Sequence, residues 1–369
     1  MKKIFAVCFV FLSCSLIFSQ NIRKPDYIRN DKKILMEATV EFDKLDFGSS
    51  LKYVEEAKEQ RRNQIDWEYQ TLQTSFKSFD VKKAGDSLDN IIPVLIERQD
   101  YDSLEIIKRY LSSSANEVIQ NSKTNLLGYL KKIRPFPEAD KLAGDIYKLE
   151  GEYDLALRYY TEALKNSDIL DIPDEKYDIL YEMADISYTL KDEERYEKDL
   201  LLIVAQDKAY KDESLVKAMT NTIESTKIDC VEKFFKLYRS NNYNVLTAYS
   251  NLAEYYENKN EMKKALTCGA LCALTGFSKI FNVVSKRNPD FVYTSVESLI
   301  LEANHYSDIV EWGIDNNVWK GFNVFAELAY KSTNPIFAVQ LYSILKDCSP
   351  EDYWREKAEI RLKEITLKD

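Results

Sequence analysis

The chain has 369 residues with only 9 glycines and 8 prolines, too few for a many-turned β protein or for glycine-rich phosphate loops. Acidic residues outnumber basic ones by 61 to 51, so the formal net charge at pH 7 is −10. This balance argues against a nucleic acid as partner, because binding to phosphates needs clustered lysine and arginine.

The first twenty residues have the order of a secretory targeting segment. Two lysines precede an unbroken apolar run, residues 4–12, and small residues follow. Three alternatives stay open: signal peptidase cleaves after Ser15 or Ser19, a lipid is attached to Cys14, or the segment remains as an uncleaved membrane anchor. We expect an exported protein, most simply a periplasmic one. No later stretch offers the roughly 20 consecutive apolar residues of a membrane-spanning helix.

A spacing of small and aromatic residues recurs along the chain and is clearest near residue 150. Gly144 is followed by Tyr147 at plus three, Ala156 at plus twelve, Tyr160 at plus sixteen and Ala163 at plus nineteen. The segment before Ala156 is rich in turn-forming residues. The pattern predicts two amphipathic helices joined by a tight turn, with small residues where the helices cross.

Further copies of this spacing lie on both sides of it. Each copy has a first small residue, a second one at plus twelve and a further matching residue at plus sixteen or plus nineteen. The four copies are Ala38, Ser50 and Ala57; Ala218, Cys230 and Phe234; Ala253, Ala265 and Cys272; and Ala326, Ala338 and Tyr342. Ala184 begins another copy, in which Tyr196 replaces the second small residue. The first positions from 184 onward are 34, 35 and 73 residues apart, which indicates a period of about 34 residues.

With this period and these small positions, the chain resembles the tetratricopeptide-repeat (TPR) family. The match is strongest over residues 138–165, while residues 58–137 and 274–320 match poorly and the tryptophan usual in the first helix is absent. The resemblance implies an all-α, right-handed superhelical solenoid of about eight to nine helix-turn-helix repeats. It also implies that the first helix of each repeat lines a concave surface.

We predict five segments along the chain: a signal peptide at 1–20, degenerate helical repeats at 21–137, well-matched repeats at 138–273, divergent repeats at 274–349 and a capping helix at 350–369. Pro350 stands at the beginning of the last segment, where proline fits the first turn of a helix. A repeat array needs such a final helix to cover its last apolar face.

Catalytic and metal-binding residue patterns are scarce, and we predict no catalytic, cofactor or metal site. His305 is the single histidine and is expected in an exposed turn between helices. Cys230 and Cys272 occupy small-residue positions, so we expect buried free thiols, although disulfides among Cys230, Cys268, Cys272 and Cys348 stay an alternative.

Residues that directly follow the first small position should face the concave surface. They are Thr39, Asp145, Asp185, Met219, Glu254 and Glu327. Four of these six are carboxylates, against about one in six in the whole chain. The first hypothesis is therefore that Asp145, Asp185, Glu254 and Glu327 form an acidic surface that attracts a basic protein segment. The alternative is that they are solvated side chains of an acidic protein.

Aromatic residues accumulate where the repeat spacing lapses, between residues 274 and 322. Trp312 and Trp319 are the two candidates there for contacts with a partner, since tryptophan is enriched at binding hot spots. The alternative is that these rings fill an irregular core between repeats.

Together these patterns favour a non-catalytic scaffold of the bacterial cell envelope that binds a protein or peptide and uses no cofactor. A glycan-binding or structural envelope module is the alternative, and an enzyme is less favoured. The sequence leaves the identity of the partner and the oligomeric state open.

Overall fold

The computed structural model describes residues 30–77, 92–97, 100, 103, 105, 115–332 and 335–367. Within these ranges the chain forms sixteen named α-helices and no strand. The chain divides into two compact units, Met1–Pro173 and Asp174–Asp369. This boundary falls inside the segment 138–273, and the predicted signal peptide lies outside the described residues.

The first unit contains five of the helices. They are α1 (Asp31–Asp43), α2 (Phe47–Lys77), α3 (Ala115–Lys132), α4 (Pro137–Leu149) and α5 (Tyr153–Lys165). Helices α1 and α2 pack as one pair and α4 and α5 as another, while α2 also contacts α3 and α4. Their shared core contains Ile34, Ala38, Val54, Ala57, Phe136, Ala139, Ala143 and Ile146.

The second unit contains the other eleven helices. They are α6 (Glu175–Thr189), α7 (Glu193–Val204), α8 (Glu213–Ile223), α9 (Cys230–Phe235), α10 (Leu246–Asn258), α11 (Met262–Arg287), α12 (Val296–Ala303), α13 (Ser307–Asp315), α14 (Val318–Ser332), α15 (Pro335–Cys348) and α16 (Asp352–Thr366). Consecutive pairs again pack together, most extensively α6 with α7, α10 with α11, and α14 with α15.

Four of the helix pairs turn in the same way. The turn between α1 and α2, α4 and α5, α6 and α7, and α10 and α11 contains one residue with positive φ, respectively Leu45, Gly151, Lys191 and Asn260. The next backbone N–H donates to the carbonyl five residues earlier over 2.8–3.0 Å, which is a Schellman motif. Each of these residues lies seven positions after the first small residue of its copy. The sequence spacing therefore marks one recurring supersecondary unit.

Small residues lie where the paired helices touch, as the spacing predicts. Ala38 and Ser50 are fully buried, and the Ser50 hydroxyl donates to the Ala38 carbonyl over 2.8 Å. At Gly144 a Cβ atom would come within 2.5 Å of the buried Tyr160 ring. The close approach of α4 and α5 therefore requires glycine at this position.

Three long pairs follow one another in the second unit. Helix α7 contacts α10, α11 contacts α14, and α15 contacts α16. The short helices between them contact the long helices, since α8 contacts α11, and both α9 and α12 contact α15. Each long pair thus packs on the next long pair along the chain.

Aromatic packing explains how the short helix α9 is held. The Phe234 ring lies 4.9 Å from the Phe325 ring and 5.5 Å from the Phe337 ring, measured between centroids. Phe235 lies 4.6 Å from Phe277 in the same way. These contacts join residues about 40 to 100 positions apart. In an array in which each repeat contacts only its neighbours, the contacts between residues about 100 positions apart would not form.

The period in this unit is therefore longer than the spacing alone predicts. The first small positions of the long pairs, Ala184, Ala253 and Ala326, are 69 and 73 residues apart. The copy that begins at Ala218 differs from them, because Ala218 is partly exposed while Met219 is only 2% exposed. The prediction that Met219 faces a concave surface is wrong, since the apolar side of α8 is shifted by one residue to bury this side chain.

Helix α11 is the central helix of the second unit. This helix of 26 residues is long and apolar enough to cross a membrane. The sequence pattern did not indicate this property, because the apolar residues of the helix do not form an unbroken run. However, 72% of its most apolar stretch is buried inside the protein. A buried core helix has the same composition, so the packing accounts for the apolar character of α11.

Helix α16 covers the end of the last long pair. It begins at Asp352, two residues after Pro350, and packs on α15 and α14. Its buried residues are Ala358 and Ile365, while Tyr353 and Ile360 are exposed. This helix lies in the segment for which the sequence predicts a capping helix.

Candidate functional site

The predicted carboxylate of the first unit is held within its own helix pair. Asp145 accepts a hydrogen bond of 2.7 Å from the hydroxyl of Tyr160, on α5, and pairs with Lys141 one turn earlier on α4. The hydrogen bond joins the two helices beside the close approach at Gly144. Asp145 therefore has a structural role that does not depend on a partner.

Two of the carboxylates in the second unit connect a long pair to a neighbouring element. Glu254 on α10 pairs with Lys320 on α14 at 2.5 Å. Glu327 on α14 accepts two hydrogen bonds of 2.9 Å from the Arg361 guanidinium on α16. Both carboxylates are thus neutralised by cations of this chain, which weakens their attraction for a basic segment.

Glu327 is the most strongly held of these groups. It also accepts a 2.7 Å hydrogen bond from Tyr342, fifteen residues later, at the spacing that joins Asp145 to Tyr160. Partial burial alone would raise the pKa of Glu327, but the hydrogen bonds from Tyr342 and Arg361 lower that pKa below its usual value. The carboxylate is therefore ionised at neutral pH and is engaged on both sides.

Two further residues of the predicted concave set are exposed to solvent. Asp185 on α6 and Thr39 on α1 are exposed. The structure thus brings Glu254 and Glu327 into ion pairs with cations on neighbouring helices of the second unit.

The two predicted tryptophans have different environments. Trp319 is 2% exposed and its ring packs against Phe322 at 5.8 Å and against Gly313. It is a core residue, as in the packing alternative that the sequence leaves open. Trp312 is half-buried and lines a cavity, so its ring is within reach of a ligand.

We refer to this cavity as the Trp312 pocket. It has a volume of about 540 Å³ and is open to solvent. Four aromatic residues line it: Tyr177, Tyr181, Tyr243 and Trp312. The polar lining consists of four asparagines, at 241, 242, 244 and 316, together with Asp174, Asp178, Thr247 and Lys279. The pocket therefore combines ring faces with many hydrogen-bonding groups.

The chain builds this pocket from helix ends and one connecting segment. Residues 174–181 comprise the N-cap and the first turns of α6, and residues 241–244 lead into α10. Lys279 on α11, Trp312 on α13 and Asn316 at the C-cap of α13 complete the lining together with Thr247 of α10. All of these elements belong to the second unit. The pocket is thus formed by parts of the chain that packing of the long pairs brings together.

Tyr181 fixes the floor of the pocket. Its hydroxyl donates to the Asn244 carbonyl over 2.6 Å and accepts from the Ala248 backbone N–H over 3.1 Å. Burial of the ring raises the pKa of Tyr181 well above its usual value. These bonds hold the 241–244 segment against α6, so the pocket is formed before any ligand enters.

Lys279 lies between two rings of the pocket. Its ammonium is 4.8 Å from the centroid of Tyr243 and 5.7 Å from that of Trp312. Cation–π contacts of this kind orient an ammonium group but leave its N–H donors available. A cation is therefore presented at the wall of the pocket.

No family model matches the chain. A protein of Treponema pallidum (strain Nichols), described as an uncharacterized protein, is 30% identical over 357 residues that cover 94% of this chain and 95% of that protein. The chain belongs to the family of this treponemal protein. Because the match covers nearly all of both proteins, the likeness includes both units and is not confined to one helix pair.

Reactive side chains in this family member are protected or distant from the pocket. Cys230, Cys268, Cys272 and Cys348 are all free and buried, which the spacing predicts for Cys230 and Cys272. Burial raises the pKa of Cys268 and of Cys272 to about 12, so both stay protonated at neutral pH. His305 is exposed in the turn between α12 and α13. Among the described residues, no group of three histidine, cysteine or acidic side chains could hold a metal ion.

The sequence pattern identified one wall of the pocket and missed the rest. Trp312 was identified because aromatic residues accumulate where the repeat spacing lapses and tryptophan is enriched at binding hot spots. The asparagines at 241, 242 and 244 were the signal that could have located the remainder, since they form a polar run between two helices. Lys279 could not be found, because a lysine among the many apolar residues of α11 gives no indication of which rings surround it.

Proposed function

We propose that this protein is a non-catalytic binding scaffold of the bacterial cell envelope and that it captures a segment of a partner protein in the Trp312 pocket. The observation that carries the proposal is the preformed pocket itself, with a half-buried tryptophan next to amide and ammonium groups. An aromatic anchor surrounded by a few polar groups is the arrangement that dominates affinity at protein interfaces.

The helix pairs provide the rigid support for this pocket. We propose that they are repeats of a TPR-like solenoid, of which the recurring Schellman turns and buried small residues are the supporting features. The inserted helices α8, α9, α12 and α13 modify that pattern. The pocket lies where such insertions meet the long pairs, since α13 and the segment after α9 both line it.

Placement in the envelope is supported by the order of the first twenty residues. We propose that they direct export to the periplasm and are removed, with lipid attachment at Cys14 as the alternative route to the membrane. The treponemal relative comes from a bacterium, which is compatible with an envelope location.

Site-specific photocrosslinking in the native host tests this function. A benzoylphenylalanine at Thr247, an exposed residue of the pocket, should give a discrete adduct with one protein. The same group at Ser214, an exposed residue of α8 outside the pocket lining, is the matched control and should not. The proposal fails if both positions give the same products or if neither gives an adduct.

A glycan is the second candidate ligand, because four asparagines and three tyrosines line the pocket. Amide groups can donate and accept hydrogen bonds, as sugar hydroxyls require, and ring faces can stack on sugars. Binding of the protein to isolated cell-wall fragments, lost in Trp312→Ala, would favour this alternative. Fragments that bind the wild type and the variant equally would exclude the pocket as a glycan site.

A further inference from the structure

Lys279 is an unpaired cation on an otherwise buried stretch of helix α11. Residues 268–278 are buried, whereas Lys279 is half-buried and reaches the pocket. In the part of the chain that the structure describes, its ammonium has two aromatic neighbours and no carboxylate within ion-pair distance. A cation held between rings, where water is partly displaced, interacts with an incoming charge more strongly than a solvated one does.

Two phenol groups add uncharged donors to the same wall. The Tyr177 hydroxyl accepts a 2.8 Å hydrogen bond from the Asn242 amide, and the Tyr243 hydroxyl accepts one from the Asn282 amide. A hydroxyl that accepts a bond still has its own proton to donate. Burial raises the pKa of Tyr177, so that proton is retained at neutral pH. Across the described ranges, no protein acceptor takes either proton.

We infer that the Trp312 pocket binds a carboxylate on the partner segment, with Lys279 as its charged contact and the hydroxyls of Tyr177 and Tyr243 as further donors. This inference rests on the proposed function, because it names the chemistry recognised at the same site. It also reverses the sign of the partner expected from the sequence. Three of the four carboxylates on which that expectation was based, Asp145, Glu254 and Glu327, are paired within the chain.

Two carboxylates of the pocket itself repel an anionic ligand, and this repulsion supplies a second test of the inference. Asp174 and Asp178 lie at the α6 side and are both exposed, so water screens them more than it screens Lys279. Removing the charge of Asp178 should therefore strengthen binding of a carboxylate, whereas removing the charge of Lys279 should weaken it. Opposite signs for two substitutions in one cavity would not arise from a general loss of structure.

Fluorine NMR on the full chain measures this directly. The protein contains four tryptophans, and 5-fluorotryptophan labelling gives one signal for each, with the Trp312 signal assigned by Trp312→Phe. The probes are N-acetyl-glutamate methylamide, its glutamine and lysine counterparts, and acetate. We expect the glutamate probe to shift the Trp312 signal with a dissociation constant about tenfold lower than that of the glutamine probe, a factor in the range of charge-assisted hydrogen bonds.

Three variants complete the experiment. Lys279→Gln should abolish the preference for the glutamate probe, and Asp178→Asn should increase its affinity. Lys286→Gln, which changes an exposed lysine on the same helix outside the pocket lining, should leave its affinity unchanged.

The inference is overturned if the lysine probe binds as tightly as the glutamate probe, if the preference survives Lys279→Gln, or if no probe shifts the Trp312 signal. Binding of acetate as tight as that of the glutamate probe would overturn the assignment to a peptide segment. Failure here together with a specific adduct from position 247 would remove the carboxylate chemistry and leave the proposed function standing. A carboxylate preference without any adduct would remove the proposed function and leave the carboxylate chemistry of the pocket standing.

Discussion

Gly144 is where the packing of a helix pair can be tested most sharply. In Gly144→Ala the new methyl group would lie 2.5 and 2.6 Å from two carbon atoms of the Tyr160 ring. The ring cannot move away freely, because it is fully buried and its hydroxyl is bonded to Asp145. The helices must therefore separate or the hydrogen bond must break.

The expected cost follows from these contacts. Overpacking of a core costs about 1–3 kcal/mol, and loss of a hydrogen bond to a charged group costs about 1.5–3 kcal/mol. Alanine regains about 1 kcal/mol of helix propensity over glycine. The net expectation is a loss of about 2 kcal/mol in the free energy of unfolding of the first unit.

Gly128→Ala is the matched control for this substitution. Gly128 lies in helix α3 of the same unit, and a Cβ there meets nothing within 4 Å. It should raise the stability by about 1 kcal/mol through helix propensity alone. Urea denaturation followed by circular dichroism compares the two variants. If Gly144→Ala were as stabilising as Gly128→Ala, the close packing of α4 on α5 would be refuted.

Three further predictions concern charges and thiols. In Glu327→Gln, loss of the bonds from Arg361 should lower the free energy of unfolding at pH 7 by about 2 kcal/mol. In the wild type, this contribution should be lost progressively as the pH falls below the usual glutamate pKa of 4.5, because the pKa of Glu327 is lowered in the folded protein. Glu254→Lys should cost about 1 kcal/mol, since it places like charges together beside Lys320. Iodoacetamide at pH 8 should modify Cys272 only after unfolding, because burial raises its pKa to about 12.

Each of these has its own measurement. Urea titrations at pH 7 and at pH 3.5 should show a smaller difference between wild type and Glu327→Gln at the lower pH, and equal differences at both would contradict the pKa argument. Glu356→Lys, on an exposed position of α16, is the control for Glu254→Lys and should change the stability by less than about 0.5 kcal/mol. Mass spectrometry of the alkylated peptides tests the thiol, and rapid modification in the folded state would contradict its burial.

The helix pairs were predictable because their contacts are local in sequence. Two helices joined by a tight turn must place small residues twelve positions apart, as at Ala38 and Ser50 or at Ala253 and Ala265. The same register places a left-handed residue seven positions after the first small residue, at Leu45 and Asn260. Spacing therefore contains enough information to specify the pair.

The arrangement of the pairs was not predictable in the same way. Ala218 and Cys230 fit the spacing, yet α8 and α9 pack beside the row of long pairs because Phe234 and Phe235 find partners on α11, α14 and α15. Such contacts join distant parts of the chain, and no periodicity within α9 encodes them. The period of about 70 residues appears only when the long pairs are compared in space.

The candidate site was partly predictable for a related reason. A residue type can be recognised from the sequence, but its partners cannot. Glu254 and Glu327 are acidic as expected, yet their ion pairs with Lys320 and Arg361 depend on the neighbouring long pair or on α16. Conversely, Lys279 gains its importance from Tyr243 and Trp312, which lie 33 or more residues away along the chain.

The affinity of the partner segment for the wild type and for Trp312→Ala tests the central claim most directly. The segment is the one crosslinked through position 247, and isothermal titration calorimetry gives both dissociation constants. Truncation of an aromatic anchor should weaken binding about 30-fold, corresponding to about 2 kcal/mol. Tyr353→Ala, which changes a residue of α16 that is 62% exposed and lies outside the pocket lining, should leave the affinity unchanged. Equal affinities of the wild type and Trp312→Ala would contradict the assignment of this pocket as the binding site.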